Sequence, residues 1–190
     1  MIRELIVKNR TYRRFYEDFK IDKNTLESLV ELARLSASGS NLQSLKYILS
    51  CEEEKNKKVF DNIKWAGYLK DWNGPEVGER PTAYVVMLCD KEISLNYMWD
   101  HGIACQSILL GACEKGFGGC MFGSVDKENL RKALEIPDIY DIVTVIALGK
   151  PKETVVIDEI KDLKNVKYWR DENKVHHVPK RKLEDIILDI

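Results

Sequence analysis

The residues Arg10-Thr11-Tyr12-Arg13-Arg14-Phe15 put three guanidinium groups and a hydroxyl within five positions, with two aromatics beside the charges. Arginine supplies fork-shaped donors that match phosphate oxygens, and threonine adds one more hydrogen bond. The segment follows the apolar run Leu5-Ile6-Val7, so it reads as a turn just past a short helix. Such a turn can wrap a phosphate and a sugar-like chain. A solvated basic turn has the same composition. A second basic run, Lys180-Arg181-Lys182, stands near the other end of the chain, and it too reads alternatively as a solvated run. A third segment, Ser36-Ala37-Ser38-Gly39-Ser40-Asn41, is small and turn-forming and fits either a helix stop or a ligand-facing loop.

These groups need elements to position them. Leu26, Leu29, Val30 and Ala33 recur at helical spacing, with Asp22 or Asn24 as the cap. Tyr47 to Cys51 reads as a strand, and Lys55 to Trp65 as a surface helix. Residues 71–82 hold Asn73-Gly74-Pro75, Gly78 and Pro81 and form a long loop. Ala83 to Cys89 and Ile142 to Leu148 are near-continuous apolar runs, the pattern of strands buried on both faces. Residues 95–115 are apolar on most sides and predict a helix buried in a core or an interface. Cys120-Met121-Phe122 is a short strand followed by Gly123, and Asp126 caps a helix to Leu134. Residues 152–182 are polar and poorly periodic and predict an extended tail, with Leu183 to Ile190 pairing or packing at the end. The sum is a single domain over 1–190, of mixed α and β structure around a mixed sheet.

Composition narrows the function classes. The 190 residues carry 30 basic and 31 acidic side chains, a formal net charge of -1, which gives no global field toward nucleic acid or anionic membrane. No apolar run approaches the ~18 residues that span a bilayer. The start, Met1-Ile2-Arg3-Glu4, is not a secretory signal. Five irregularly spaced cysteines argue against a disulfide framework and for a reducing, cytoplasmic compartment. His101 and Cys105 share a helix face, but two ligands do not make a metal site, and His176-His177 point to opposite sides of an extended strand. Gly116-Phe117-Gly118-Gly119 follows a helix and precedes a strand, the wrong order for a dinucleotide fingerprint.

Taken together and in order, five segments resemble the nitroreductase family of FMN-dependent oxidoreductases. Arg10 to Phe15 is similar to the family's N-terminal phosphate and ribityl motif. Ser36 to Ser44 is similar to its second motif, with Ala37 and Ser44 where prolines are usual. Asp100-His101-Gly102-Ile103-Ala104-Cys105-Gln106, with Leu109, Ala112 and Gly116, resembles its central helix. Ala147 to Pro151 resembles its late strand and turn, and Pro179 to Leu183 its C-terminal phosphate segment. Asn9 stands where the family often has arginine.

The resemblance implies an α+β fold with helices flanking a central sheet, an intertwined homodimer, and one FMN in each of two interface clefts. It implies that Arg10, Thr11 and Arg13 hold the phosphate, ribityl chain and pyrimidine edge, and that Lys180 and Arg181 reach the same phosphate. Ser38 and Asn41 would come from the partner chain. Phe122 and Gly123 would offer backbone N–H groups to the flavin. The implied activity is hydride transfer from NADH or NADPH through the flavin to a nitroaromatic, quinone or similar small acceptor. The cofactor carries that chemistry, so no acid-base side chain is expected. The alternative is a non-catalytic flavin- or nucleotide-binding regulatory module on the same scaffold. No metal, nucleic-acid or membrane partner is expected.

Overall fold

The two apolar runs form the centre of the fold. In the computed structural model, which describes residues 1–69, 71–160, 162 and 164–190, they are strands β3 (Ala83–Asp90) and β5 (Tyr140–Pro151). Side chains alternate between the two faces of a strand. Val85 and Met87 of β3, with Ile146 and Leu148 of β5, enter one core; Tyr84, Val86 and Leu88, with Val145 and Ala147, enter another. Both faces are covered, which is why these strands are apolar without alternation.

Helices α2 (Lys23–Arg34) and α4 (Asp100–Glu114) cover the first face. Helices α3 (Glu53–Phe60) and α5 (Lys127–Leu134) cover the second. The expected caps are present: Asp22 accepts from the Thr25 N–H at 2.7 Å, and Asp126 from the Asn129 N–H at 3.1 Å. Gly111 lets α4 approach α2, because a Cβ there would overlap Leu32. The short helix α1 (Ile2–Lys8) leads into the basic segment.

The main sheet runs β1 (Phe15–Tyr16), β5, β3, β2 (Leu45–Ser50), with β4 (Gly118–Phe122) also on β5. All of its strand pairings are antiparallel. The parallel pairing of the expected mixed sheet lies elsewhere, between β6 (Val155–Glu159) and β8 (His176–Lys180). A parallel pair needs a long connection, and residues 160–175 supply it, with β7 (Trp169–Arg170) adding antiparallel to β8.

Several elements differ from the sequence reading. The long helix begins at Asp100 rather than near residue 95, because Ser94 and Asn96 side chains bond the backbone of residues 96–98 and compete with helix formation. Helix α3 stops at Phe60, and Lys64 instead donates its N–H to Ser124 O at 2.9 Å. The stretch 152–182, expected as an extended tail, is a three-stranded sheet; positions 161 and 163 within it lie outside the described residues. Its periodicity is poor because two of its buried residues are polar, Glu153 and His176, with Ile160 the apolar one among the described residues. Leu183, Ile186, Ile187, Leu188 and Ile190, expected to pack, are exposed.

Candidate functional site

After α1 the backbone turns extended at Asn9 and runs beside β4. Thr11 bridges Gly119 in parallel, and the Tyr12 N–H donates to Gly119 O at 3.0 Å. Gly119 is required there, since a Cβ would run into the Ala147 carbonyl and Leu109. This contact brings the N-terminal segment against the strand, and β8 brings the C-terminal basic run to the same place. A cavity of about 160 Å3 results, lined by Asn9, Arg10, Thr11, Gln106, Leu109, Gly119, Met121, Val178 and Lys180.

The lining is positively charged. Arg10 donates to Ile6 O at 2.6 Å, and its Nε is buried with no partner. Thr11 adds a hydroxyl, Lys180 an ammonium and Gln106 an amide, and no carboxylate stands among these lining residues. Gln106 was visible in the sequence only as part of the central-helix segment; its place opposite the basic groups follows from how α4 packs. Lys180 is exposed, as is Arg181 beyond it.

Arg13 does not line this cavity. It is 8% exposed and turns inward. Its N–H donates to the Glu153 carboxylate, its Nη1 donates to His176 Nε2 at 3.2 Å, and its guanidinium lies 4.7 Å over the Tyr168 ring. Glu153 also accepts from the Arg14 N–H at 3.2 Å and from Arg170 at 2.9 Å. Arginine cannot accept a hydrogen bond, so His176 accepts through Nε2 and is neutral. Burial, with Arg13 and Arg170 nearby, pulls its pKa down to about 4. His177 faces the other way, stacked on Trp169, between Asp158 at 2.8 Å and Asp171 at 3.5 Å. Burial opposes its charge, but the two carboxylates outweigh that and raise its pKa. Arg14 pairs with Glu79, whose carboxyl it holds down at about 2 with help from Lys152.

Ser38 and Asn41 lie apart from the basic cavity within one chain. Ser38 is bonded to Asp100 at the start of α4, and Asn41 is exposed in a left-handed turn. Phe122 is buried, its ring 4.7 Å from Trp65 and its carbonyl accepting the Thr144 hydroxyl at 2.9 Å. Gly123 follows at the exposed end of β4, with open space where a Cβ would stand. His101 packs edge-on to Tyr97, and Cys105 is buried, its thiol pushed up to about 12 by burial. Among the described residues no group of three or more His, Cys, Asp or Glu is arranged to hold a metal ion. No helix of the described residues is long and apolar enough to cross a membrane.

Comparison with known proteins bears on the family and the fold. A protein of Archaeoglobus fulgidus with the provisional name NADH dehydrogenase/NAD(P)H nitroreductase is 27% identical over 157 residues, covering 78% of this chain and 84% of the relative. The crystal structure of a nitroreductase family protein from Clostridium novyi NT shares the fold at a TM-score of 0.66 and 23% identity, over 80% of this chain and 87% of that one. An FMN-dependent nitroreductase from Clostridium difficile R20291 superposes at 0.62 and 21% identity, over 80% and 88%. The sequence model of the nitroreductase family matches residues 6–83 and 69–150. With the family's motifs in order and its fold around them, the chain belongs to the nitroreductase family.

Proposed function

We propose that this protein is a homodimeric, FMN-dependent oxidoreductase that takes hydride from NADH or NADPH and reduces a nitroaromatic, quinone or similar small acceptor. One observation carries the reading. Arg10, Thr11 and Lys180, from opposite ends of the chain, line one cavity with no carboxylate among the lining residues. A phosphate dianion needs fixed, charge-assisted donors, and the unpartnered Arg10 Nε is a buried donor that lacks an acceptor.

In this reading Arg10, Thr11, Lys180 and Arg181 hold the phosphate and ribityl chain. Arg13 acts from behind as a buried positive charge, and the backbone of Phe122 and Gly123 borders the ring. Bound there, FMN supplies two-electron chemistry in which donor and acceptor alternate in one cleft. The protein contributes binding, orientation and a positive field.

A cavity of about 160 Å3 is smaller than the roughly 300–1,000 Å3 of a typical cofactor pocket. A second copy of the chain completes it, bringing Ser38 and Asn41. Exposed apolar residues Ile2, Ile6 and Val7 on α1, Trp99 beside α4, and the C-terminal Leu183 to Ile190 supply surface for that contact. The five free thiols support a reducing, cytoplasmic setting. The test is the visible spectrum of the purified protein, followed by heat release and chromatography of the cofactor and by NADH and NADPH oxidation with a quinone. Bound FMN and quinone-dependent oxidation are expected. FAD, or a colourless chain that takes up no added FMN, excludes the reading.

A further inference from the structure

Asp100, the first residue of α4, is a buried carboxylate, 7% exposed, outside the cavity described above. Both of its oxygens are engaged by one loop. Ser38 donates its hydroxyl to Oδ2 at 2.7 Å, and Gly39 donates its N–H to Oδ1 at 2.8 Å. The Ser38 oxygen in turn accepts the Gln43 N–H at 3.0 Å. The two donors and the positive end of α4 balance its charge.

The loop so held is one that the chain does not adopt unaided. Ser40, Asn41 and Gln43 have φ of 50°, 56° and 54°, the left-handed region disfavoured for side-chain-bearing residues. Left-handed residues persist where their surroundings over-determine them. The fixing contacts are the two hydrogen bonds to Asp100, the Ser38–Gln43 bond, and bonds within the loop, from the Asn41 N–H to Ser38 O at 3.0 Å, the Leu42 N–H to Gly39 O at 3.1 Å and the Gln43 amide to Asn41 O at 3.1 Å. Asp100 therefore anchors the Ser38 end of the turn to the N-terminus of the central helix.

We infer that Asp100 is a positioning residue for the flavin bound across the subunit boundary: it acts through Ser38 and the strained turn, on the partner's cleft and not on its own. The inference rests on the proposed placement of Ser38 and Asn41 at the partner's FMN. Asparagine at position 100 keeps the shape but has one acceptor oxygen for two donors, so one loop bond is lost.

The experiment is FMN titration of homodimers and of a mixed dimer purified through two different tags. Wild-type chain is the control for the functional reading; failure to take up FMN overturns that reading and this inference with it. Asp100→Asn homodimers should bind FMN about tenfold to a hundredfold more weakly, as expected for a lost hydrogen bond to a charged group. The mixed dimer pairs an Arg10→Ala chain with an Asp100→Asn chain. If Asp100 serves the partner's cleft, one cleft carries both lesions and the other carries neither, and one FMN per dimer binds with wild-type affinity. If Asp100 matters only inside its own subunit, each cleft carries one lesion and no wild-type site appears, which overturns the inference. Wild-type affinity in the Asp100→Asn homodimer overturns it too, while leaving the functional reading intact. Should Asp100→Asn fail to fold, Asp100→Ser takes its place in the same mixed dimer, with the same outcomes.

Discussion

Arg13 donates to His176 Nε2 at 3.2 Å across 163 positions of sequence, and this bond ties the N-terminal basic segment to the C-terminal sheet. It also fixes the protonation of the histidine. Nε2 has no proton, because the partner can only donate. Nδ1 is buried without a partner. The pair shows why Arg13 serves as an internal support while Arg10, three residues earlier, faces the cavity.

Stability should fall in acid because of His176. Its pKa drops from 6.5 to about 4 in the folded chain. Below about pH 6.5 the unfolded chain binds a proton that the folded chain refuses, so the contribution is complete above that pH and is lost as pH falls toward 4. The steepest slope is about 1.4 kcal/mol per pH unit. Urea unfolding of wild type and His176→Gln between pH 7 and pH 4 measures it, and the variant should lack that component. Glu79, with its carboxyl at about 2, adds a separate loss below about pH 4.5.

Glu153→Gln should destabilise the fold by about 3–5 kcal/mol. The carboxylate is fully buried and joins the Arg13 and Arg14 N–H groups to Arg170. Removing one member of a buried pair leaves an uncompensated charge. Lys57→Ala, in the exposed pair with Asp61, should change stability by less than about 1 kcal/mol. Denaturant midpoints separate the two.

Arg10→Ala and Lys180→Ala should each weaken FMN binding by about 1.5–3 kcal/mol. Both residues line the cavity rather than the core, so unfolding midpoints should stay near wild type. Arg13→Ala should behave in the opposite way, lowering the midpoint because its guanidinium is buried against His176 and Tyr168. Fluorescence titration with FMN and urea unfolding of the three variants test the division.

Steady-state rates with donor and quinone varied together should give parallel reciprocal plots, since in the proposed mechanism one cleft admits the two substrates in turn. Cys105→Ala and Cys120→Ala should keep most of the activity: both thiols are buried, and burial pushes their pKa values up to about 12 and about 11, away from reactive thiolate. His101→Ala should do likewise. Intersecting plots, or loss of activity in one of these variants with FMN still bound, would contradict the mechanism.

The sequence by itself determined the elements whose cause is local. Uninterrupted apolar runs mark β3 and β5, and Asp22 and Asp126 mark two helix starts, because an apolar run or a cap depends on residues within a few positions. The order of motifs was legible for the same reason, and with it the family. Tertiary structure decided which basic residues face the cavity. Arg10 and Arg13 are alike in type, and only the distant Glu153, Tyr168 and His176 turn one of them inward. The C-terminal sheet was hidden because two of the buried positions in that stretch hold a glutamate and a histidine, whose burial is possible only once arginines meet them. The clamp of Asp100 on Ser38 was hidden likewise: the two residues are 62 positions apart, and no spacing rule links a helix's first residue to a loop on another element.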